Sequence, residues 1–264
     1  MLVTLDLLGE HTEDAAAAEQ SAQNICAALE GIAANQLRSG ISLKLTQIGL
    51  QLDEGLCAGN LETILKTARQ HGIFVRVDTE DSPWLEATLG LVRGMQDKGY
   101  ENVGAVIQSY LYRSDGDVAA LAEEGITIRL VKGAYKEPPE IAYPKKADVD
   151  AAFDRQTEIL LKASKQHPIR QKGDWPPLAA IATHDEARVR FAEQCAEELG
   201  LDKQLVEFQM LYGIRRELQR DLAARGYPVR VYVPFGTQWY PYFMRRLAER
   251  PANLWFFVSN LVRR

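Results

Sequence analysis

The chain is poor in the residues that several common chemistries require. It has only three cysteines, Cys26, Cys57 and Cys195, spread widely and odd in number. They suit buried thiols in a reducing compartment better than a disulfide framework or a zinc site. Its four histidines include His11, His71 and His167, which lack any ligand-like context, so a metal centre is not expected. No apolar run approaches the roughly 18 residues of a membrane span. The opening Met-Leu-Val-Thr-Leu-Asp lacks the basic start and cleavage site of a secretory signal. Net charge is −5, so no broad basic surface awaits a phosphate backbone, and nucleic acid is not an expected partner. Gly-x-Gly-x-x-Gly follows no strand and Gly-x-Ser-x-Gly is missing, which argues against a Rossmann cofactor site and a serine hydrolase. The expected compartment is the cytoplasm, with peripheral contact at the inner face of a membrane left open.

What the chain has is length, apolar content and alternation. With 264 residues, 46% of them hydrophobic, it can bury a large core as one domain spanning residues 1–264. Eight short β-branched or apolar runs alternate with helical stretches: Leu2–Leu8, Ile41–Thr46, Ile73–Asp78, Val103–Gln108, Ile126–Lys132, Leu178–His184, Leu205–Gln209 and Val229–Pro234. Helical stripes at i, i+3, i+4 spacing appear in Ala18, Ala22, Ile25, Cys26, Leu29 and Ile32, and again in Ala192, Cys195, Ala196 and Leu199. Such faces cover a sheet. Eight βα units in a chain of this size predict a closed parallel (βα)8 barrel of the TIM type, ahead of an open doubly wound sheet. Proline-rich stretches at 137–144 and 167–177 read as loops, the first on the active face of the barrel and the second on the opposite face.

In a parallel barrel the C-terminal strand ends share one mouth, so polar residues there are the candidates for chemistry. They are Glu10, Lys44, Asp78, Gln108, Arg129, Lys132, Thr183, His184, Gln209 and Tyr232. Each alone is more simply a solvated strand end. Lys44 in Ser-Leu-Lys-Leu and Arg129 in Thr-Ile-Arg-Leu-Val are harder to dismiss, because a charge inside an apolar strand must be offset by pairing or a ligand. Tyr232 is followed by the adjacent pair Arg245-Arg246, two guanidinium forks that together with Lys44 could grip one small carboxylate. An Arg-Arg pair is otherwise a common solvated helix face. Asp78 would pair with Lys44 or with a substrate amine. Gln108, Arg129, Lys132 and His184 would suit a flat polar cofactor ring and its phosphates. Gly133 would let backbone approach a ligand, although an ordinary turn is the commoner reason for such a glycine. Lys132 also allows a Schiff-base lyase, and the cationic set allows a barrel that only binds amino acids.

The motifs Arg129-Leu-Val-Lys-Gly-Ala-Tyr135, Ala182-Thr-His184, Glu207-Phe-Gln-Met-Leu211 and Tyr232 through Arg245-Arg246 resemble, in order and spacing, those of the proline dehydrogenase family. The resemblance covers nearly the whole chain, and Glu-Pro-Pro-Glu after the fifth strand looks like the bacterial monofunctional branch. It implies a distorted (βα)8 barrel that holds FAD and oxidises L-proline to 1-pyrroline-5-carboxylate, with electrons passing to a quinone. It implies that Lys44, Arg245 and Arg246 hold the substrate carboxylate, and that Asp78, Tyr135, Leu211 and Tyr232 enclose the pyrrolidine ring. Thr79, Gln108, Lys132, Gly133, Ala134, Thr183 and His184 would contact FAD. Arg129 would lie at the flavin's reactive edge, and Asp78 and Arg129 would be the catalytic pair. Glu10 resembles the family's gate residue, ion-paired with Arg245. The family's helical arm before the first strand is expected to be missing or reduced, and a second domain for aldehyde oxidation is not expected. Trp255–Val258 is expected in the core or an interface. Oligomeric state is left open.

Overall fold

The structure, a computed structural model, describes residues 1–9, 11–167, 173–240 and 244. Eight strands form a closed, all-parallel barrel in chain order: β1 (Leu2–Leu7), β2 (Ser39–Lys44), β3 (Val75–Asp78), β4 (Val103–Gln108), β5 (Ile128–Val131), β6 (Ala179–Ala182), β7 (Val206–Leu211) and β8 (Val229–Phe235). The helices between them are α1 (Ala15–Ala34), α2 (Glu54–Gln70), α3 (Ser82–Asp97), α4 (Ser114–Glu123), α5 (Lys146–Gln166), α6 (Glu186–Glu198) and α7 (Arg216–Ala224). Closure comes from β1, which pairs with β2 through Val3↔Ser39 and with β8 through Val3↔Val231.

All eight expected strands are present, with shifted ends. The second begins earlier and stops at Lys44, because Leu45–Ile48 winds into a 3-10 turn closed by Gly49. That turn is fully buried, so no change of polarity in the sequence marks where the strand stops. The fifth ends at Val131, which places Lys132 on the following loop, and the sixth is only Ala179–Ala182, with Thr183 and His184 beyond it. The seventh continues to Leu211. Both predicted stripes are helical and face inward, apart from half-buried Cys26 and from Leu199, which caps α6. Side-chain oxygens of Asp14, Asp53 and Asp185 accept the first free amides of α1, α2 and α6, which sets where these helices begin. Trp255–Val258 lies outside the described residues.

The strand faces divide the labour. Residues pointing out to the helices are apolar, as in Ile41 and Leu43, Val75 and Val77, Ile128 and Leu130, Phe208 and Met210, and with the helical stripes they form the hydrophobic core. The alternate residues include Thr4 and Asp6, Ser42 and Lys44, Arg76 and Asp78, Glu207 and Gln209, all buried. Period-two alternation therefore separates a greasy outer layer from a polar interior. Burial also pushes the Cys57 thiol up to about 12, with the charges of Glu54 and Glu80 adding to the effect, so this thiol stays protonated within the core.

Candidate active site

The C-terminal mouth of the barrel opens into a cavity of about 490 Å³. Every described residue expected at the site lines it: Lys44, Asp78 and Thr79 from the second and third strand ends, Gln108 and Arg129 from β4 and β5, Lys132 through Tyr135 from the loop after β5, Thr183 and His184 after β6, Leu211 and Tyr232 from β7 and β8. Glu10, Arg245 and Arg246 lie outside the described residues. A second cavity, about 610 Å³, sits at the other end of the barrel beside Gly173, Asp174 and Trp175, and none of the expected site residues lines it.

Asp78 is the hub. Register places it beside Lys44 across the β2–β3 pair. Its Oδ1 accepts a charge-assisted bond from Arg129 Nη2, while Oδ2 faces Lys44 Nζ at 3.5 Å and accepts from the Tyr232 hydroxyl at 3.1 Å. Lys44 also lies 3.6 Å from Asp6 Oδ2. Arg129 is fixed by further bonds from Nη1 to Ser42 Oγ (3.2 Å) and Gln209 Oε1 (3.5 Å), and its guanidinium lies 5.1 Å from the centre of the Tyr232 ring. Tyr232 is half-buried, with its hydroxyl among the interior carboxylates. Burial, and then the charges of Asp6 and Asp78, drive its acidity well below that of a free phenol, so it remains a donor.

Two cations, Lys44 and Arg129, thus meet two carboxylates, Asp6 and Asp78. A balanced set can be buried without a large uncompensated charge. The sequence reading missed Asp6. It stands in Leu5-Asp6-Leu7 and looks like the polar end of a strand; its signal was the shared parity with Thr4, which puts both on the inward face.

Around the rim, Lys132 Nζ is held by Asp150 of α5 and, at 2.6 Å, by Asp185 at the start of α6. Lys146 and Arg188 join the same acids. Although burial opposes it, the hydrogen bond and charge of Lys132 hold the Asp185 carboxyl at about 2. Lys132 therefore sits in an ion-pair cluster, a setting that does not support the nucleophilic amine of a Schiff-base lyase. His184 Nε2 accepts the Leu211 amide at 3.0 Å. A backbone N–H can only donate, so the ring hydrogen belongs on Nδ1 and the imidazole is neutral. Gln108 bridges two loops, donating to Glu80 O (2.8 Å) and accepting from Ala134 N (3.1 Å).

Gly133 has a structural reason within the protein itself. With φ +130° it occupies a conformation side chains rarely adopt, and a Cβ there would run into the Tyr110 ring at 2.5 Å. Packing of protein against protein requires the glycine. The loop still presents exposed backbone at Gly133 and Ala134 to the cavity.

A closed parallel barrel with buried, paired charges at its C-terminal mouth defines a barrel of the enzyme type, its site built from strand ends. The family model described as Proline dehydrogenase matches residues 1–258. Proline dehydrogenase 1 of Bacillus subtilis (strain 168) is 40% identical over 264 residues, covering 100% of this chain and 83% of that protein. Proline dehydrogenase of Deinococcus radiodurans is 41% identical over 263 residues, covering 98% and 81%. Among solved structures, proline utilization A from Bdellovibrio bacteriovorus, inactivated by N-propargylglycine, superposes with a TM-score of 0.83 at 25% identity, over 94% of this chain and 30% of that one. The chain belongs to the proline dehydrogenase family.

Proposed function

We propose that this chain oxidises L-proline to 1-pyrroline-5-carboxylate with FAD as the hydride acceptor, the first step of proline catabolism, and passes the electrons to a quinone. The observation that carries this reading is the Asp78 hub, with Arg129, Lys44 and Tyr232 converging on one carboxylate at the mouth of a barrel of this family. FAD, when bound, supplies the two-electron acceptor for the hydride that leaves the proline ring.

The donor set suits that cofactor. Gln108, Thr79, Thr183 and His184 give a polar wall, Gly133 and Ala134 offer backbone without bulk, and Lys132, with Lys146 and Arg188 beside it, supplies cations for a diphosphate. The Arg129 guanidinium, held in its fixed frame, favours electron density arriving near it. Lys44, with Arg245 and Arg246, holds the substrate carboxylate, a role consistent with the inner charges balancing one another and leaving an anion to be met by further arginines. Asp78 faces the secondary amine, whose proton must leave before the C=N bond can form. Tyr135, Leu211 and Tyr232 enclose the ring and keep water from it, and Glu10 closes over the site by pairing with Arg245. No dedicated nucleophile is needed, because hydride transfer depends on clamping donor against acceptor. No helix among the described residues is long and apolar enough to cross a membrane; in this reading the chain meets the quinone by peripheral contact at the cytoplasmic face.

Anaerobic titration of the purified protein with L-proline, followed by flavin absorbance, tests the proposal. Bleaching of a yellow protein by proline is expected. A colourless protein that binds proline, or a flavin spectrum indifferent to it, overturns the reading.

A further inference from the structure

Helix α3 begins directly after the strand end that carries Asp78 and Thr79, and its start is held in an unusual way. Asp81 occupies the N-cap position, where aspartate normally accepts an amide of the first turn, yet its side chain makes no capping bond. The cap comes from another part of the chain. Glu137, in the proline-rich loop between β5 and α5, accepts the Ser82 amide with Oε1 at 2.6 Å and the Ser82 hydroxyl with Oε2 at 2.8 Å. Both carboxylate oxygens are used on one residue, at the positive end of a 16-residue helix, where a negative charge is favoured.

The loop that supplies Glu137 is the one that supplies Gly133, Ala134 and Tyr135. Its far end is tied to the β4–α4 connection by backbone bonds, Tyr112 N to Ile141 O at 3.0 Å and Tyr143 N to Tyr110 O at 2.8 Å. Its near end is tied by Tyr110 N to Lys132 O at 2.9 Å. Between these ties, the Glu137 side chain reaches across to α3. It also bears on Tyr110, whose ring packs under Gly133: burial first, and then the Glu137 charge, keep the Tyr110 hydroxyl protonated beyond its ordinary range.

We infer that Glu137 is a positioning residue of the active site, clamping Ser82 so that the loop bearing Tyr135 keeps a fixed distance from the strand end bearing Asp78. The inference rests on the reading of Tyr135 as part of the substrate enclosure. Glu137 touches neither substrate nor cofactor in this role; it acts through Tyr135 and the Asp78 turn.

The test uses the flavin-loaded enzyme and four variants, Glu137→Ala, Glu137→Gln, Ser82→Ala and Tyr135→Ala, measured for KM and kcat with L-proline, flavin content and melting temperature. Glu137→Ala is expected to raise KM about tenfold, with kcat falling less than about threefold and flavin content unchanged. Glu137→Gln, which keeps one acceptor oxygen, recovers part of that loss, and Ser82→Ala, which keeps the amide bond, loses less than Glu137→Ala. Combined with Tyr135→Ala, the Glu137→Ala change adds little, because both act on the same wall. If Glu137→Ala fails to fold, Glu137→Gln and Ser82→Ala carry the same comparison. An unchanged KM in the Glu137 variants beside a raised KM in Tyr135→Ala shows a mere helix cap and overturns the inference while Tyr135 keeps its role. An unchanged KM in Tyr135→Ala overturns that role and the inference with it.

Discussion

The two ends of the barrel interior carry similar residues under different constraint. At the N-terminal end Arg230 grips Glu207 through two parallel bonds of 2.9 Å, and its Nη1 and Nη2 also donate to Val3 O and Asp174 O. Arg76 lies nearby with Nη1 on Ala105 O and Thr127 O, a path open only because residue 104 is glycine, whose Cβ would overlap Thr127 and Arg76 itself. Burial there, and then the charges of Arg129 and Arg230, push the Arg76 guanidinium well below its ordinary value. At the C-terminal end Lys44 stands 3.5–3.6 Å from Asp6 and Asp78, and the group opens into a cavity. A buried charge is structural where its partners consume its bonding capacity and no space adjoins it; it is available for chemistry where a cavity lies in front of it.

Substitutions at the two ends should separate these cases. The largest stability effect is expected for Arg230→Met, which strips Glu207 of its fork and should cost about 3–5 kcal/mol in denaturant unfolding. If that loss is under about 1 kcal/mol, the lower pair is not the rigid element described. Lys44→Met should do the reverse, lowering kcat/KM for L-proline about 100-fold while destabilising less than Arg230→Met, because the mouth can admit water. Equal destabilisation by both would erase the distinction between the ends. Tyr232→Phe removes one bond to Asp78 and should cost about five- to tenfold in kcat/KM. The wild-type rate should show no tyrosine limb through the ordinary phenol range, since the Tyr232 hydroxyl ionises only well above it. The smallest effect concerns the rim. The folded Asp185 carboxyl is depressed from 3.8 to about 2, so its pairing stabilises fully above 3.8 and is lost as pH falls toward 2. Asp185→Asn should flatten that acid limb in a series of unfolding midpoints against pH, and an unaltered limb would show that the pairing with Lys132 does not contribute.

The outer layer of the barrel was legible because it is written locally. Ile41, Leu43, Val75 and Val77 are apolar at alternate positions, and Ala18, Ala22 and Ile25 repeat at helical spacing. Lys44 and Arg129 were legible as charges intruding into such strands. Asp6, a single acid between two leucines, carried the same local signal as Lys44 but was passed over, and what it faces is set by closure of β1 onto β2 and β8. The clamp of Glu137 on Ser82 spans 55 residues and has no trace in local composition. The start of the turn at Leu45 escaped notice because both strand and turn are buried, and the fixed position of Gly133 depends on a ring brought in from the preceding loop.

Because β1 is flanked on one side by β8, the first strand made waits for the last before its second edge is paired. Arg230 reaches the carbonyl of Val3 across 227 residues of chain. Until that pairing forms, the growing sheet carries an open strand edge. Contacts of that reach raise the mean sequence separation of the native contacts, which slows folding relative to a chain held together by local ones.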